Sequence, residues 1–245
     1  TGIYLLLGGT ASGRRGVTVL NRSVMFGLTK IRVDHNTTQG GGNQSACFHV
    51  DGWIEGVFDH NRVENCYSSF FVSEQSAGNG TASWSRLYMG GGATAGTSHA
   101  VIIEDNKIVH NNSGTATLDA DVYTSFGGAY VFRHNDLDAS TFSAINFFVP
   151  FGVHGNFGGY CDASGGACLR STVITEVYGN TIRMPNAGFP IDTPRGGTHL
   201  WHDNTITYAG SPPTAIIGFV EEEMPGGLFS PARAVWPSQA AIINS

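Results

Sequence analysis

Six segments of this chain each run through apolar residues and close on Asn. They are IRVDHN, GVFDHN, VIIEDN, YVFRHN, TEVYGN and LWHDN, ending at Asn36, Asn61, Asn106, Asn135, Asn180 and Asn204. Successive Asn residues stand 25, 45, 29, 45 and 24 apart. These spacings describe a coil of about 24 residues, with insertions or an unmarked coil in the two long gaps. A repeat of this length excludes an ordinary globular core. One such unit cannot bury its apolar face alone, and only stacking on the next copy hides it.

Aligned on Asn, the phrases alternate. Three residues before it stand Val33, Phe58, Ile103, Phe132, Val177 and Trp201, and two after it stand Thr38, Val63, Ile108, Leu137, Ile182 and Ile206. Between these columns lie Asp34, Asp59, Glu104, Arg133, Tyr178 and His202. Period two over five or six residues predicts half-buried strands, and no helical period competes. The Asn suits a bend, because its side chain tolerates left-handed backbone and offers both a donor and an acceptor. One Asn per coil predicts a side-chain ladder inside the corner.

Composition agrees. There are 34 Gly in 245 residues and only 13 % charged residues, the balance of strands and turns rather than helical bundles. The net charge of −6, with Lys30 and Lys107 the only lysines and Arg14–Arg15 one basic pair, excludes nucleic acid as a partner. The runs IYLLL and INFFVPF are too short to span a bilayer, so no membrane partner is expected. The opening TGIYLLLGG lacks a basic region and an initiator Met, and the chain is expected to begin after processing or inside a longer precursor.

The phrases VDHNTT, GVFDHNRVENC, HAVIIEDNKI, GGAYVFRHNDL and ITEVYGNTI resemble the right-handed, single-stranded parallel β-helix proteins of the pectate-lyase-like superfamily, most closely its secreted β-helix repeat proteins. The resemblance covers residues 17–208 and is specific for fold. It implies a secreted or cell-surface, carbohydrate-active protein with a polysaccharide as partner. For activity it is open, since the group holds polysaccharide lyases, glycoside hydrolases, virus tail proteins and non-catalytic surface proteins, and a fold does not fix a function.

The expected organisation is a solenoid over residues 1–208, with GVTVLNRSV at 16–24 a degenerate copy of the phrase. A Pro-rich segment over residues 209–245 would cap the last coil or dock a neighbour, giving a possible route to assembly. Pro212, Pro213, Pro225, Pro231 and Pro237 crowd there with Glu221, Glu222 and Glu223. The cysteines fall as two local pairs. CDASGGAC, with Cys161 and Cys168, suits a disulfide staple in an oxidising compartment, while Cys47 and Cys66 are either bridged or stacked as core thiols.

Two insertions are candidates for a binding surface: residues 73–98, with Trp84, Arg86 and Tyr88, and residues 150–172, with His154 and Arg170. The polar column offers two chemistries. Carboxylates on adjacent coils split their pKa values, as an acid and base pair for glycoside hydrolysis requires. That reading uses Asp34 and Asp59 on neighbouring coils, with Glu104 two coils further on. A lyase instead needs a cation for a uronate carboxylate and a base for the adjacent proton. Arg133, His154 and Arg195 are the set for that reaction, with His134 and His199 near them and Tyr178, His202, Trp84 and Tyr88 as substrate contacts. No organic cofactor is expected. Asp119 and Asp121 are weak Ca²⁺ candidates, and His49 alternates with Asp51 on one strand face.

Overall fold

The computed structural model describes residues 17–21, 28–40, 46–52, 54–73, 100–111, 113–114, 120–125, 128–144, 149–153, 172, 174–185, 190–194, 198–218 and 239–242. All regular structure among them is β, in parallel strands. Among the described residues no helix is long and apolar enough to cross a membrane.

The alternating phrases form the largest sheet. Its seven strands are Leu28–Asp34, Ile54–Asp59, Val101–Glu104, Ala129–Arg133, Ile174–Tyr178, Thr198–His202 and Gln239–Ile242, paired in that order. After each Asn the chain turns into a six-stranded sheet of short strands: Thr37–Gln39, Arg62–Glu64, Lys107–Val109, Asp136–Asp138, Thr181–Met184 and Thr205–Tyr208. A third sheet of five strands holds Val17–Asn21, Ala46–Gly52, Ser68–Ser73, Val122–Ser125 and Phe151–Val153, and a short pair joins Ser113–Gly114 to Ser143–Ala144. Stacked coils with three strands each make a parallel β-solenoid.

Both apolar columns face inward. Phe58, Ile103, Phe132 and Val177 are fully buried, as are Val63, Ile108, Leu137 and Ile182 on the next sheet. Aromatic residues fill the interior between sheets: Phe48 stacks on Phe70 at 5.0 Å, and Phe151 meets Phe132 and Trp201 edge-on. Cys47 and Cys66 are joined by a disulfide in this core, with Cα atoms 5.9 Å apart. The pair Cys161–Cys168 lies outside the described residues.

The Asn ladder is present. The amide of each Asn donates to the side-chain oxygen of the next, from Asn36 through Asn61, Asn106, Asn135 and Asn180 to Asn204, at 2.9–3.3 Å. That same oxygen accepts the backbone N–H of the preceding Asn, at 2.9–3.1 Å. The amide also reaches the carbonyl of the apolar residue one coil back, as Asn106 does to Phe58 at 2.8 Å. The buried Asn61, Asn106, Asn135 and Asn180 thus satisfy their polar groups from coil to coil.

Three expectations need correcting. The left-handed residue is not the Asn but the one before it: His35, His60, Asp105, His134, Gly179 and Asp203 have φ between 52° and 65°. This leaves the Asn side chain free to face inward. Second, Val17–Asn21 is no copy of the ladder phrase, for it pairs with Ala46–Gly52 in the five-stranded sheet. Third, neither long gap hides a coil in the ladder sheet. Phe58 pairs directly with Ile103, and Phe132 with Val177. Glu104 is therefore one coil from Asp59, not two.

Candidate functional site

The column two residues before each Asn is continuous. Asp34 pairs with Asp59, Asp59 with Glu104, Glu104 with Arg133, Arg133 with Tyr178, and Tyr178 with His202. Strand alternation aims all six away from the core, beside the tight Asn turn. Parallel pairing sets them one strand spacing apart, about 4.8 Å. The structure thus assembles six of the sequence-selected residues. Trp84, Tyr88, His154 and Arg195 lie outside the described residues, as do Asp119, Arg86 and Arg170.

In the first half of the column the carboxylates are already engaged. Arg32 grips Asp59 with two bonds, Nε to Oδ1 at 3.0 Å and a second guanidinium nitrogen to Oδ2 at 2.6 Å. His60 Nδ1 adds a third contact at 2.8 Å. Asp59 is only 3 % exposed, enclosed beneath these partners. Its bond from Arg32 outweighs burial and holds the carboxyl below its ordinary value. A general acid requires the opposite shift. Asp34 and Asp59 are neighbours, and Asp59, held ionised by Arg32, is not the raised member of such a pair.

The second half is organised around Arg133. Its Nε donates to Glu104 Oε2 at 2.6 Å and another nitrogen donates to Tyr178 Oη at 2.9 Å. Partial burial pulls the guanidinium down, but the bonds to Tyr178 and Glu104 prevail and keep it charged. The Tyr178 ring stacks on His202, with centroids 4.6 Å apart and planes 8° from parallel. His134 meets the edge of Tyr178 at 5.7 Å. Gly179 makes room for it: a Cβ there would stand 2.7 Å from His134 Nδ1, and φ is +65°. A cation, two imidazoles and a phenol therefore share one cluster at the surface.

Polar residues on the interior are a separate set. Asp121 is 1 % exposed and accepts from Ser69 Oγ at 2.6 Å, with His110 Nε2 also at 2.6 Å. The carboxylate stands between Ser and His, so this is not a nucleophile–base relay. Asp119, its partner in the Ca²⁺ expectation, lies outside the described residues. Among the described residues no three His, Cys, Asp or Glu side chains lie close enough to hold a metal together. Burial also lifts Asp192 to about 8, against the opposing bond from Trp201 Nε1 at 3.0 Å. A raised carboxyl is a mark of catalysis in a cleft, but Asp192 is fully enclosed. His49 and Asp51 are buried as well, and His199 bonds Thr175 Oγ1 at 2.6 Å inside the solenoid.

The sequence reading marked His134 but passed over Arg32 and, in the column next to each Asn, His35, Asp105, Gly179 and Asp203. The signal was in the six phrases, one position from the residues chosen. No family model, curated protein or solved structure matches the chain.

Proposed function

We propose that this is a secreted, carbohydrate-active protein of the right-handed, single-stranded parallel β-helix type, related to the pectate-lyase-like superfamily. In this reading residues 1–208 are the solenoid, residues 209–245 cover its end, and a polysaccharide lies along the outer polar column. Cleavage by β-elimination suits the residues better than hydrolysis. The observation that carries this is the Arg133 cluster: one guanidinium bonded to Tyr178 Oη at 2.9 Å, with His134 and the Tyr178–His202 stack beside it.

A uronate carboxylate would meet Arg133, where positive charge stabilises the enolate that forms as the adjacent proton leaves. Tyr178 or His134 takes that proton, the bond to the leaving sugar oxygen breaks, and the oxygen is protonated from the solvent or a neighbouring acid. Hydrolysis is less well served, because Asp59 is held ionised by Arg32. Non-catalytic glycan binding is a second reading. It draws on the stacked Tyr178–His202 pair, whose flat faces suit sugar rings.

The test is a panel of acidic and neutral polysaccharides, read for new reducing ends and for the ultraviolet absorbance of unsaturated uronates. Cleavage with absorbance, lost in Arg133→Ala, is the expected result. Reducing ends without absorbance would replace elimination by hydrolysis. Retention on a glycan without cleavage would leave the binding reading, and no retention on any glycan would overturn both.

A further inference from the structure

We propose that His35 and His60 form a two-imidazole site for a divalent transition-metal ion of the zinc, nickel or copper class. The two rings sit at equivalent left-handed positions of adjacent coils, with φ of 55° and 53°. Their planes are 7° from parallel and their centroids 5.2 Å apart. Both side chains are open to solvent, at 70 % and 50 % exposure.

The carboxylates behind them fix their chemistry. His35 Nδ1 stands 3.0 Å from Asp34 Oδ2, and His60 Nδ1 stands 2.8 Å from Asp59 Oδ2. An ionised carboxylate only accepts, so each Nδ1 carries a proton, and in the neutral ring Nε2 presents a lone pair. This is the carboxylate–histidine arrangement that orients metal-ligating imidazoles and raises their basicity. Asp34 and Asp59 face one guanidinium, Arg32, so their charges outnumber its own and favour a cation. Asp105 takes the same turn position on the next coil and adds negative charge on that side.

Spacing permits a shared ion. Adjacent parallel strands lie about 4.8 Å apart, no wider than the roughly 5–6 Å between Cβ atoms at helical i and i+4, a spacing at which the two His of HExxH bind one zinc. The in-plane Nε2 lone pairs of the parallel rings run side by side, so both exposed rings must swing toward each other to share the ion. Among the described residues no third protein ligand completes the group. Water or a small donor would fill the remaining positions.

Titration calorimetry of the full chain with Zn²⁺, paired with electron paramagnetic resonance of bound Cu²⁺, tests this. One ion per chain and a two-nitrogen Cu²⁺ spectrum are expected. His35→Gln and His60→Gln should each weaken binding at least tenfold and leave one nitrogen, with far-ultraviolet dichroism unchanged. Asp34→Asn should weaken it by roughly 10–100-fold, the usual effect of losing an outer partner. His134→Gln should leave the isotherm as it was. Absence of saturable binding, or equal affinity in the His35→Gln/His60→Gln double variant, would overturn the site, and full affinity in Asp34→Asn would overturn its carboxylate backing.

Discussion

The Asn ladder and the outer polar column lie two residues apart on every coil, yet they are built on opposite rules. In the ladder one residue type recurs six times, and each of the four interior copies donates to one identical neighbour and accepts from another. In the column the residue changes along the stack, and bonds are made pair by pair: Asp59 to Arg32, Glu104 to Arg133, Arg133 to Tyr178. Repetition satisfies buried polar groups because the partner one coil away is always the right one. The column faces outward, where the turn imposes no such identity. Residues there are free to differ, and chemistry specific to this protein collects where they do.

The sharpest way to break that contrast is Asn106→Ala. It removes the bonds from the amide to Phe58, Glu104 and Asn135, and strands two donors of Asn61. With buried orphans costing about 1–3 kcal/mol each, chemical denaturation should register a loss of about 5 kcal/mol. A loss under about 1 kcal/mol would mean that the ladder is decoration. Phe58→Ala empties part of the fully buried core beside the ladder and should cost about 3–5 kcal/mol. An unchanged denaturation midpoint would reject the inward register.

Gly179→Ala tests both regions together. The left-handed backbone costs a non-Gly residue about 1–2 kcal/mol, and the new methyl group must push the His134 ring aside. Nuclear magnetic resonance should show His134 ring signals moving while the ladder amides stay in place. Asp59→Asn is milder and depends on pH. The Arg32 bond depresses the folded carboxyl below its ordinary value of 3.8. Its stabilisation is therefore complete above the unfolded value and fades as pH falls through the folded one. The stability gap between wild type and variant should close on acidification, and a constant gap would remove the ion pair as its cause. Smallest of all, Tyr178→Phe should change stability by no more than about 0.5 kcal/mol while weakening retention on whichever glycan the protein binds. Equal retention would take Tyr178 out of the site.

Much of the column was legible from six aligned phrases, because strand alternation is a local property. The side of the sheet on which Asp34, Asp59, Glu104, Arg133, Tyr178 and His202 lie follows from period two alone. What each touches does not. Arg32 sits two residues before Asp34 in sequence but binds Asp59 of the following coil, 27 residues away. His35 was passed over because it looks like an ordinary turn residue until His60 is set beside it. The interior cluster of Asp121, Ser69 and His110 spans 52 residues from Ser69 to Asp121 and carries no repeat to announce it.

The sequence by itself determined the coil, its inward and outward faces and the Asn ladder. The coil and its faces arise from strand alternation within one short phrase, and the ladder from setting that phrase's Asn once on every coil. Only the tertiary structure decided which phrases are neighbours. It placed Glu104 against Asp59 across a gap of 45 residues, put Val17–Asn21 in a different sheet, and closed Asp59 beneath Arg32. The physical reason is that pairing between coils depends on where the chain returns after each insertion. That path is fixed by contacts far apart in sequence, and no local period records it.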